Sequence, residues 1–522
     1  MKEYYGVFGI TVSHNIRENP KYSNDCYKAD IVYGDPMNFI ADTLRDISKN
    51  TKQGRGFDLI IIDEVDNLMI DQSNMKIQLT STIVGMDILG HLLVNIWGEG
   101  VKFISTSEQK KEGCYYKQES LDEEKIRELE ELGVNVSEAK ARAEPIYLGS
   151  NCEAILRKGL KEYIETHLLD YNQTNKSLRS IVIPSHLEEF AIEQVSRWTK
   201  SFMDAVILYD EDNEYVVMRS PGADNSNRYK VAASIDSEKT GIIQFKLQLS
   251  DGLQQFLQLK HKLTLTAENI ITTFMSYYGF LGKYKGNIYG VTGTLGDKPN
   301  QEYLKEVHGV ELMKIPTFIE KDLIKYEAII VSNEYEWIDE IVDTVKREAQ
   351  GKIAVLVIIE KLRDVQDVYF ALKERYSRGQ VYMYYKGGQE ELGIVGRTLD
   401  AGDVIVASNL AGRGTDLKLD SEIIKNGGLH VIVGTFPNYV RVQDQAYGRA
   451  ARQSEPGSAQ MILNSGVTNN YLIYVKCGED IECLSKARTE HEYLKLTEDR
   501  LCKLPMLKLQ DELLDLFTEE LK

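Results

Sequence analysis

The chain has 522 residues, 62 of them Lys or Arg and 80 Asp or Glu, for a net charge of −18. That length exceeds one hydrophobic core and points to roughly three or four domains. The acidic balance opposes a general grip on phosphate backbones and leaves only a local basic groove for such a role. The longest apolar stretch, residues 81–98, contains Asp87, His91 and Asn95 and is too short and polar to span a bilayer. No charged, apolar, small-residue leader opens the chain, so nothing marks it for secretion. The cysteines (Cys26, Cys114, Cys152, Cys477, Cys483, Cys502) form no CxxC pair and read as reduced thiols of a cytosolic compartment.

In chain order, KADIVYG from Lys28 predicts a strand, and Asp35-Pro36 supplies a helix cap with proline in the first helical position. Phe39, Ile40, Thr43, Leu44 and Ile47 then repeat at helical spacing. The run IIIDEVDN follows: three isoleucines end at Asp63, Glu64 and Asp66. A short apolar run closing on carboxylates predicts a buried parallel strand that carries acids to the carboxyl edge of a sheet, where α/β proteins bind ligands. There one carboxylate can hold a magnesium shell and its neighbour can orient or deprotonate a water. The simpler alternative is that Asp63 only caps the next helix.

Between about Gln72 and Asn227 the pattern changes to a charged helical stretch (122–142), mixed amphipathic helices and strand-like AVILYD and YVVMRS, without a phosphate or metal motif. This predicts an inserted α+β domain. GIIQF, SDGLQQFLQLKHKL and NIYGVTGTLG return to the first lobe. From Lys352 a second βα series runs through KIAVLVII, a helix carrying Leu362, Val365, Val368 and Leu372, then QVYMYY, DVIVAS, GLHVIVGT and a helix over 438–452. The expected map is a partial first lobe (1–72), an insertion (73–235), the return of the first lobe (236–322), a second lobe (323–465) and a helical tail (466–522) broken at Pro505.

Three segments carry further chemistry. GVTGTLG (290–296) is a glycine- and threonine-rich loop that lets backbone and hydroxyls approach a neighbour, although a tight turn explains it equally. ASNLAGRGTDL (407–417) places Gly412 and Gly414 around Arg413 and adds Thr415 and Asp416, a set suited to a nucleotide or an opposite lobe. In QAYGRAARQ, Arg449 and Arg452 are three apart and are expected to share a helix face, where two guanidinium groups could reach a triphosphate across a cleft from Asp63. A solvated basic helix face is the plain alternative.

Together these strings resemble the SecA preprotein-translocase motor family. YGDPMNFIADTLRD with IIIDEVDNLMID resembles the family's YGTNNEFGFDYLRD and VDEVDSILIDEA. SDGLQQ, GVTGTLG, ASNLAGRGTDL, GGLHVIVGT and YGRAARQSEPG resemble WSDGLHQ, GMTGTA, ATNMAGRGTDI, GGLHVIGT and RGRSGRQGDPG in the same order. The resemblance implies an α/β fold of two RecA-like parallel-sheet lobes, of the P-loop NTPase and superfamily-two helicase type, with an inserted preprotein-binding domain. It implies ATP and magnesium as ligands, with Asp63 helping to hold the metal and Glu64 as catalytic base. Asp42 and Arg45 would sit in an early nucleotide-binding element, and Gly412, Arg413, Gly414 and Asp416 in a nucleotide-sensing loop. Arg449 and Arg452 would be arginine fingers, with Gln453 beside them. Implied partners are unfolded polypeptide or preprotein and a membrane channel, at a cytoplasmic, peripheral-membrane location; nucleic acid is not expected.

The sequence departs from the family in lacking any GxxxxGK[ST], so it holds no phosphate cradle of its own. That implies a fragment or a shortened relative that needs a chain or segment supplying the P-loop. Leu249 stands where the family has tryptophan, and Ser454 where it has glycine. Two other readings compete with the motor: a non-catalytic polypeptide-binding protein that kept the clamp, and a nucleic-acid helicase.

Overall fold

In the computed structural model, residues 2–15, 24–49, 56–81, 84–105, 158–159, 161–162, 183–211, 214–219, 230–235, 243–244, 249–384, 397–408, 417–452, 454–465 and 481–520 are described. The chain divides into two compact units, one of Met1–Ser81, Ser237–Ile242 and Ile271–Lys522, the other of Thr82–Asp236 and Ile243–Ile270. Among the described residues no helix is long and apolar enough to cross a membrane. Cys26 and Cys502 form no disulfide, but Cys483 is disulfide-bonded, which corrects the reading of all six as reduced.

The larger unit opens with α1 (Lys2–Gly6) and two parallel strands, β1 (Val12–Asn15) and β2 (Ile31–Gly34). Asp35 Oδ1 accepts from the Met37 N–H at 2.8 Å, and α2 (Pro36–Lys49) starts at the proline as the sequence predicts. Ile40, Ala41 and Leu44 of α2 are buried with Ile62 of β3 (Ile60–Asp63) in the first-lobe core. A π-helical turn, Asn67–Asp71, follows, closed by the Gln72 N–H on the Asn67 carbonyl at 2.9 Å, and β4 (Lys76–Ser81) ends this stretch.

The smaller unit packs α3 (Met86–Ser105) and α4 (Ser185–Ile207) around Leu89, Leu92, Trp198 and Phe202. Because α4 runs to Ile207, the first half of AVILYD closes a helix and the second half follows it outside any strand, so the expected strand is not there; Ala205 is in the core. β5 (Tyr215–Arg219), β6 (Lys230–Ile235) and β7 (Ile243–Gln244) form an antiparallel sheet, and α5 (Leu253–Lys260) buries Phe256 and Leu257. The charged stretch 122–142 lies outside the described residues.

Back in the larger unit, β8 (Ile270–Ser276) pairs with β4, and α6 (Tyr277–Gly282) leads to β9 (Ile288–Val291), parallel to β3. α7 (Lys298–His308) is capped by Asp297. The second lobe contains β10 (Leu323–Lys325), β11 (Ile329–Val331), α8 (Glu334–Gln350), β12 (Ala354–Ile359), α9 (Leu362–Arg375), β13 (Val381–Tyr384) and β15 (Val404–Ser408). A short side pair, β14 (Thr398–Leu399) and β16 (Lys418–Leu419), precedes α10 (Ser421–Lys425) and β17 (Leu429–Val433). α11 (Val440–Tyr447) and β18 (Gly457–Asn464) complete the lobe. Its sheet is parallel, in the order β10-β18-β17-β12-β15-β13, with β11 also on β18. Every residue of β12 is buried: Val355, Val357 and Ile359 face the layer of α8 and α9, while Ala354, Leu356 and Ile358 face the layer holding Ala446 and Tyr447. A strand buried on both faces has no polar positions to alternate, hence the unbroken AVLVII.

Two C-terminal helices, α12 (Ile481–Glu498) and α13 (Leu504–Glu520), are joined by a π-helical turn, Asp499–Lys503. Helical backbone continues from α12 through this π-helical turn into α13, and Pro505 falls directly after the turn, so the regular α-helical ladder is interrupted there without ending the helix. Leu484 and Ala487 of α12 are in the second-lobe core, while Leu496 is in the first-lobe core with Leu504 and Leu507.

Candidate functional site

The site is built where β3 and β9 end. Asp63 is exposed at the tip of β3, and its Oδ1 accepts from the Glu64 N–H at 3.0 Å. Glu64 follows with φ 51°, a left-handed conformation that costs a non-glycine residue roughly 1–2 kcal/mol. That reversal turns the chain into Val65 and Asp66. On β9, a Cβ at Gly290 would stand 2.5 Å from Val65 Cγ2, so only glycine lets the acid-bearing turn lie against this strand.

Asp66 is fully buried, with no exposed surface. Its Oδ1 accepts from Thr292 Oγ1 at 2.7 Å and its Oδ2 from Thr294 Oγ1 at 3.1 Å. The threonines of GVTGTLG therefore hold the third acid of DEVD. From the second lobe, Gln445 Nε2 donates to Thr294 Oγ1 at 2.9 Å and lies 3.4 Å from Asp66 Oδ2. Arg441, also on α11 and also fully buried, donates from Nη2 to Asp71 Oδ1 at 2.8 Å and sits 3.5 Å from Asp66 Oδ2 through Nη1. Burial opposes the guanidinium charge, but Asp71, Glu492 and Asp66 outweigh it and raise the arginine above its ordinary range.

Of the residues expected to act, the two arginines are not on one helix face. α11 ends at Tyr447, Gly448 caps it, and Ala451 has φ 54°, because the chain must turn to begin β18. Arg449 is buried, whereas Arg452 is half-buried with Nε 3.4 Å from the Gly448 carbonyl. Asp42 is buried, and its carboxylate accepts from Asn15 Nδ2 (3.0 Å), Tyr27 OH (2.8 Å) and Arg45 Nη1 (3.0 Å), tying α2 to β1. Gly412, Arg413, Gly414, Asp416 and Gln453 lie outside the described residues. Sequence reasoning missed Asp71, Arg441, Gln445 and Glu492. Arg441 carried a signal, since an arginine between two valines in VRVQDQ is a buried-charge pattern in search of an acid.

A model of the SecA DEAD-like domain matches residues 1–303. The chain belongs to the SecA family. It is 23% identical over 473 residues to a protein translocase subunit SecA of Campylobacter concisus (strain 13826), covering 89% of this chain and 48% of that protein. It is 25% identical over 503 residues to a protein translocase subunit SecA 2 of Bacillus anthracis, covering 95% and 54%. The chain thus spans about half the length of the curated relatives it matches. Among solved structures, the DUF1998 helicase MrfA bound to DNA overlaps 41% of this chain and 28% of its own at 13% identity and a TM-score of 0.27, too slight an overlap to argue from. With the SecA family established, the sheets are RecA-like lobes of the helicase type, carrying an insertion.

The donor set at the β3 tip fits a hydrated magnesium ion, which takes one or two carboxylates and keeps several waters; Asp63 is exposed there. The triphosphate is less well served, because the sequence contains no GxxxxGK[ST] loop.

Proposed function

We propose that this chain is the motor portion of a SecA-like, ATP-driven protein translocase. The observation that carries this reading is the Gln445–Thr294–Asp66 chain of hydrogen bonds, which joins the acid-bearing end of the first lobe to the helix leading into Arg449 and Arg452. Bound Mg·ATP would supply the phosphoryl group. Asp63 would hold the hydrated metal, Glu64 would orient and deprotonate water, and Arg449 and Arg452 would balance charge on the phosphates. Asp42 and Arg45 would shape the adjoining wall through β1, and Gly412, Arg413, Gly414, Asp416 and Gln453 would respond to nucleotide. In this reading residues 73–235 bind unfolded polypeptide or preprotein, a membrane channel receives it, and the protein works in the cytoplasm at the membrane surface.

The missing phosphate cradle favours one qualification: by itself the 522-residue chain turns ATP over little or not at all, since a base and two arginines act only on a triphosphate held in line. A second reading, a polypeptide-binding clamp without catalysis, draws on the same absence. Turnover separates the two. Addition of a segment carrying a P-loop is expected to restore hydrolysis, and Glu64→Gln in that complex to abolish it while sparing nucleotide binding. No turnover and no nucleotide binding in the complex would leave the clamp reading. Photo-crosslinking to an unfolded client should label residues within 73–235 in either case.

A further inference from the structure

Three buried carboxylates converge on one guanidinium. Arg441 Nη2 lies 2.8 Å from Asp71 Oδ1 and 3.8 Å from Glu492 Oε1, and Nη1 lies 3.5 Å from Asp66 Oδ2. All four side chains are at most 4% exposed. The cluster is therefore over-supplied with negative charge, and its hydrogen bonding is incomplete: Arg441 Nε and Nη1 and Glu492 Oε2 are buried without a hydrogen bond. Such a group is costly to leave as it stands.

The third acid comes from a different element. Asp66 and Asp71 belong to the first lobe, but Glu492 is on α12, where Asn300 Nδ2 of α7 donates to its Oε1 at 2.8 Å. One helical turn earlier on α12, Arg488 stacks on Phe436 at 4.6 Å and donates from Nη1 to Gln443 Oε1 of α11 at 2.7 Å. Residues 488 and 492 thus present one face of α12 to α11 at two points. We propose that Glu492 is a positioning residue that competes with Asp71 for Nη2 of Arg441, so that the seating of α12 sets how tightly α11 is held on the acid-bearing turn. A displacement of about one ångström, the difference between the two distances, exchanges the partner. Burial, with Asp297 and Asp71 nearby, raises the Glu492 carboxyl above its usual range against the opposing pull of Asn300 and Arg441, as expected of the surplus acid. The contact that would feel the exchange is Gln445 on Thr294 and Asp66. Through that contact the C-terminal helices would regulate the site on which the motor reading rests.

Hydrogen exchange of the full chain without nucleotide tests the competition. Glu492→Gln removes the competing charge and retains an acceptor for Asn300, so Arg441 should settle on Asp71. Amide exchange across 440–447 and 67–71 should slow by about threefold or more, a fraction of one charge-assisted hydrogen bond, with 481–498 unchanged. Asp71→Asn should speed exchange more in the Glu492→Gln background than in the native chain, where Glu492 can take over the arginine. Glu492→Asp, which draws the carboxylate back by one methylene, should act like Glu492→Gln more weakly, and it stands in if the glutamine variant fails to fold. Unchanged exchange in both segments, loosening that includes 481–498, or strictly additive effects of the two substitutions would overturn the proposal. The readout uses no nucleotide, so a negative result leaves the motor reading to be decided by turnover.

Discussion

Gln445 reaches from the second lobe to Thr294 of the first, 2.9 Å from amide nitrogen to hydroxyl, and Thr294 in turn donates to the buried Asp66. Each member is a neutral donor or a carboxylate with an assigned partner, so α11 is seated by hydrogen bonds of fixed direction. Four residues earlier on the same helix, Arg441 adds charge to that seat. The consequence for stability can be measured.

Arg441→Met leaves Asp66, Asp71 and Glu492 without their shared cation in a site closed to water. Removing one partner of a buried ion pair costs about 3–5 kcal/mol, and three acids place this variant at the upper end. Urea unfolding followed by Trp337, whose Nε1 donates to the Ile462 carbonyl in the second lobe, should show the loss. A change below about 1 kcal/mol would mean that the cluster is already neutralised, for instance by proton uptake.

The second-lobe sheet was readable because β12, β15 and β17 are unbroken apolar runs between turn residues, and burial on both faces demands that composition. The acid strand is parallel, as its IIID run predicts, but it is not buried on both faces: Ile61 is 71% exposed and only Ile62 lies in the core, because β3 pairs with β9 alone among the described strands, which corrects the expectation of a buried strand. The end of α11 was legible only in part: Gly448 is a poor helix former and caps the helix, but the arginines and alanines after it suit a helix, and it is the approach to β18 that turns the chain away at Ala451. The Arg441 cluster escaped because its members lie at 66, 71, 441 and 492, a separation that local pattern cannot bridge. AVILYD was misread because a short apolar run fits a buried helix end as well as a strand.

Gly428 tests the β17 entry. It has φ 78°, and a Cβ there would stand 1.8 Å from the Pro456 carbonyl oxygen, which is backbone and cannot swing away. Gly428→Ala must shift β17 or β18 at the centre of the parallel sheet. A loss on the order of 3 kcal/mol or more is expected from strain of this kind, seen as a lower Tm for the transition reported by Trp337. An unchanged Tm would show that the two strands can separate here without consequence.

Glu268 makes the smaller unit sensitive to pH. Burial, offset in part by the Trp198 indole N–H at 2.9 Å, raises its carboxyl from 4.5 to about 7. The folded state thus binds the proton more tightly than the unfolded chain. The stabilisation is fully present below about pH 4.5 and is lost as pH rises through about 7. The whole effect is on the order of 3 kcal/mol. Denaturation monitored by tryptophan fluorescence at pH 5 and pH 8 should give the higher midpoint at pH 5, and Glu268→Gln should remove most of the difference. An equal pH dependence in the variant would assign it to other groups.

The last prediction concerns YGRAARQSEPG, where the related motif RGRSGRQGDPG has glycine at the places of Ala451 and Ser454. Both residues adopt positive φ, 54° and 71°, although neither is glycine. The backbone path that glycine takes freely is therefore kept here against steric resistance of roughly 1–2 kcal/mol per residue. Glycine would relieve that resistance but would also gain freedom in the unfolded chain, which offsets about half of it. Ala451→Gly and Ser454→Gly should each stabilise the second lobe by about 0.5–1 kcal/mol, and together by nearly the sum. At Ala451 the close packing of Gly457 on its backbone nitrogen, 2.4 Å from a would-be Cβ, keeps the turn in place once the strain is gone. Urea midpoints of the two single variants and the double variant would measure this. Destabilisation by either glycine would show that the methyl of Ala451 or the hydroxyl of Ser454 makes contacts worth more than the strain it imposes.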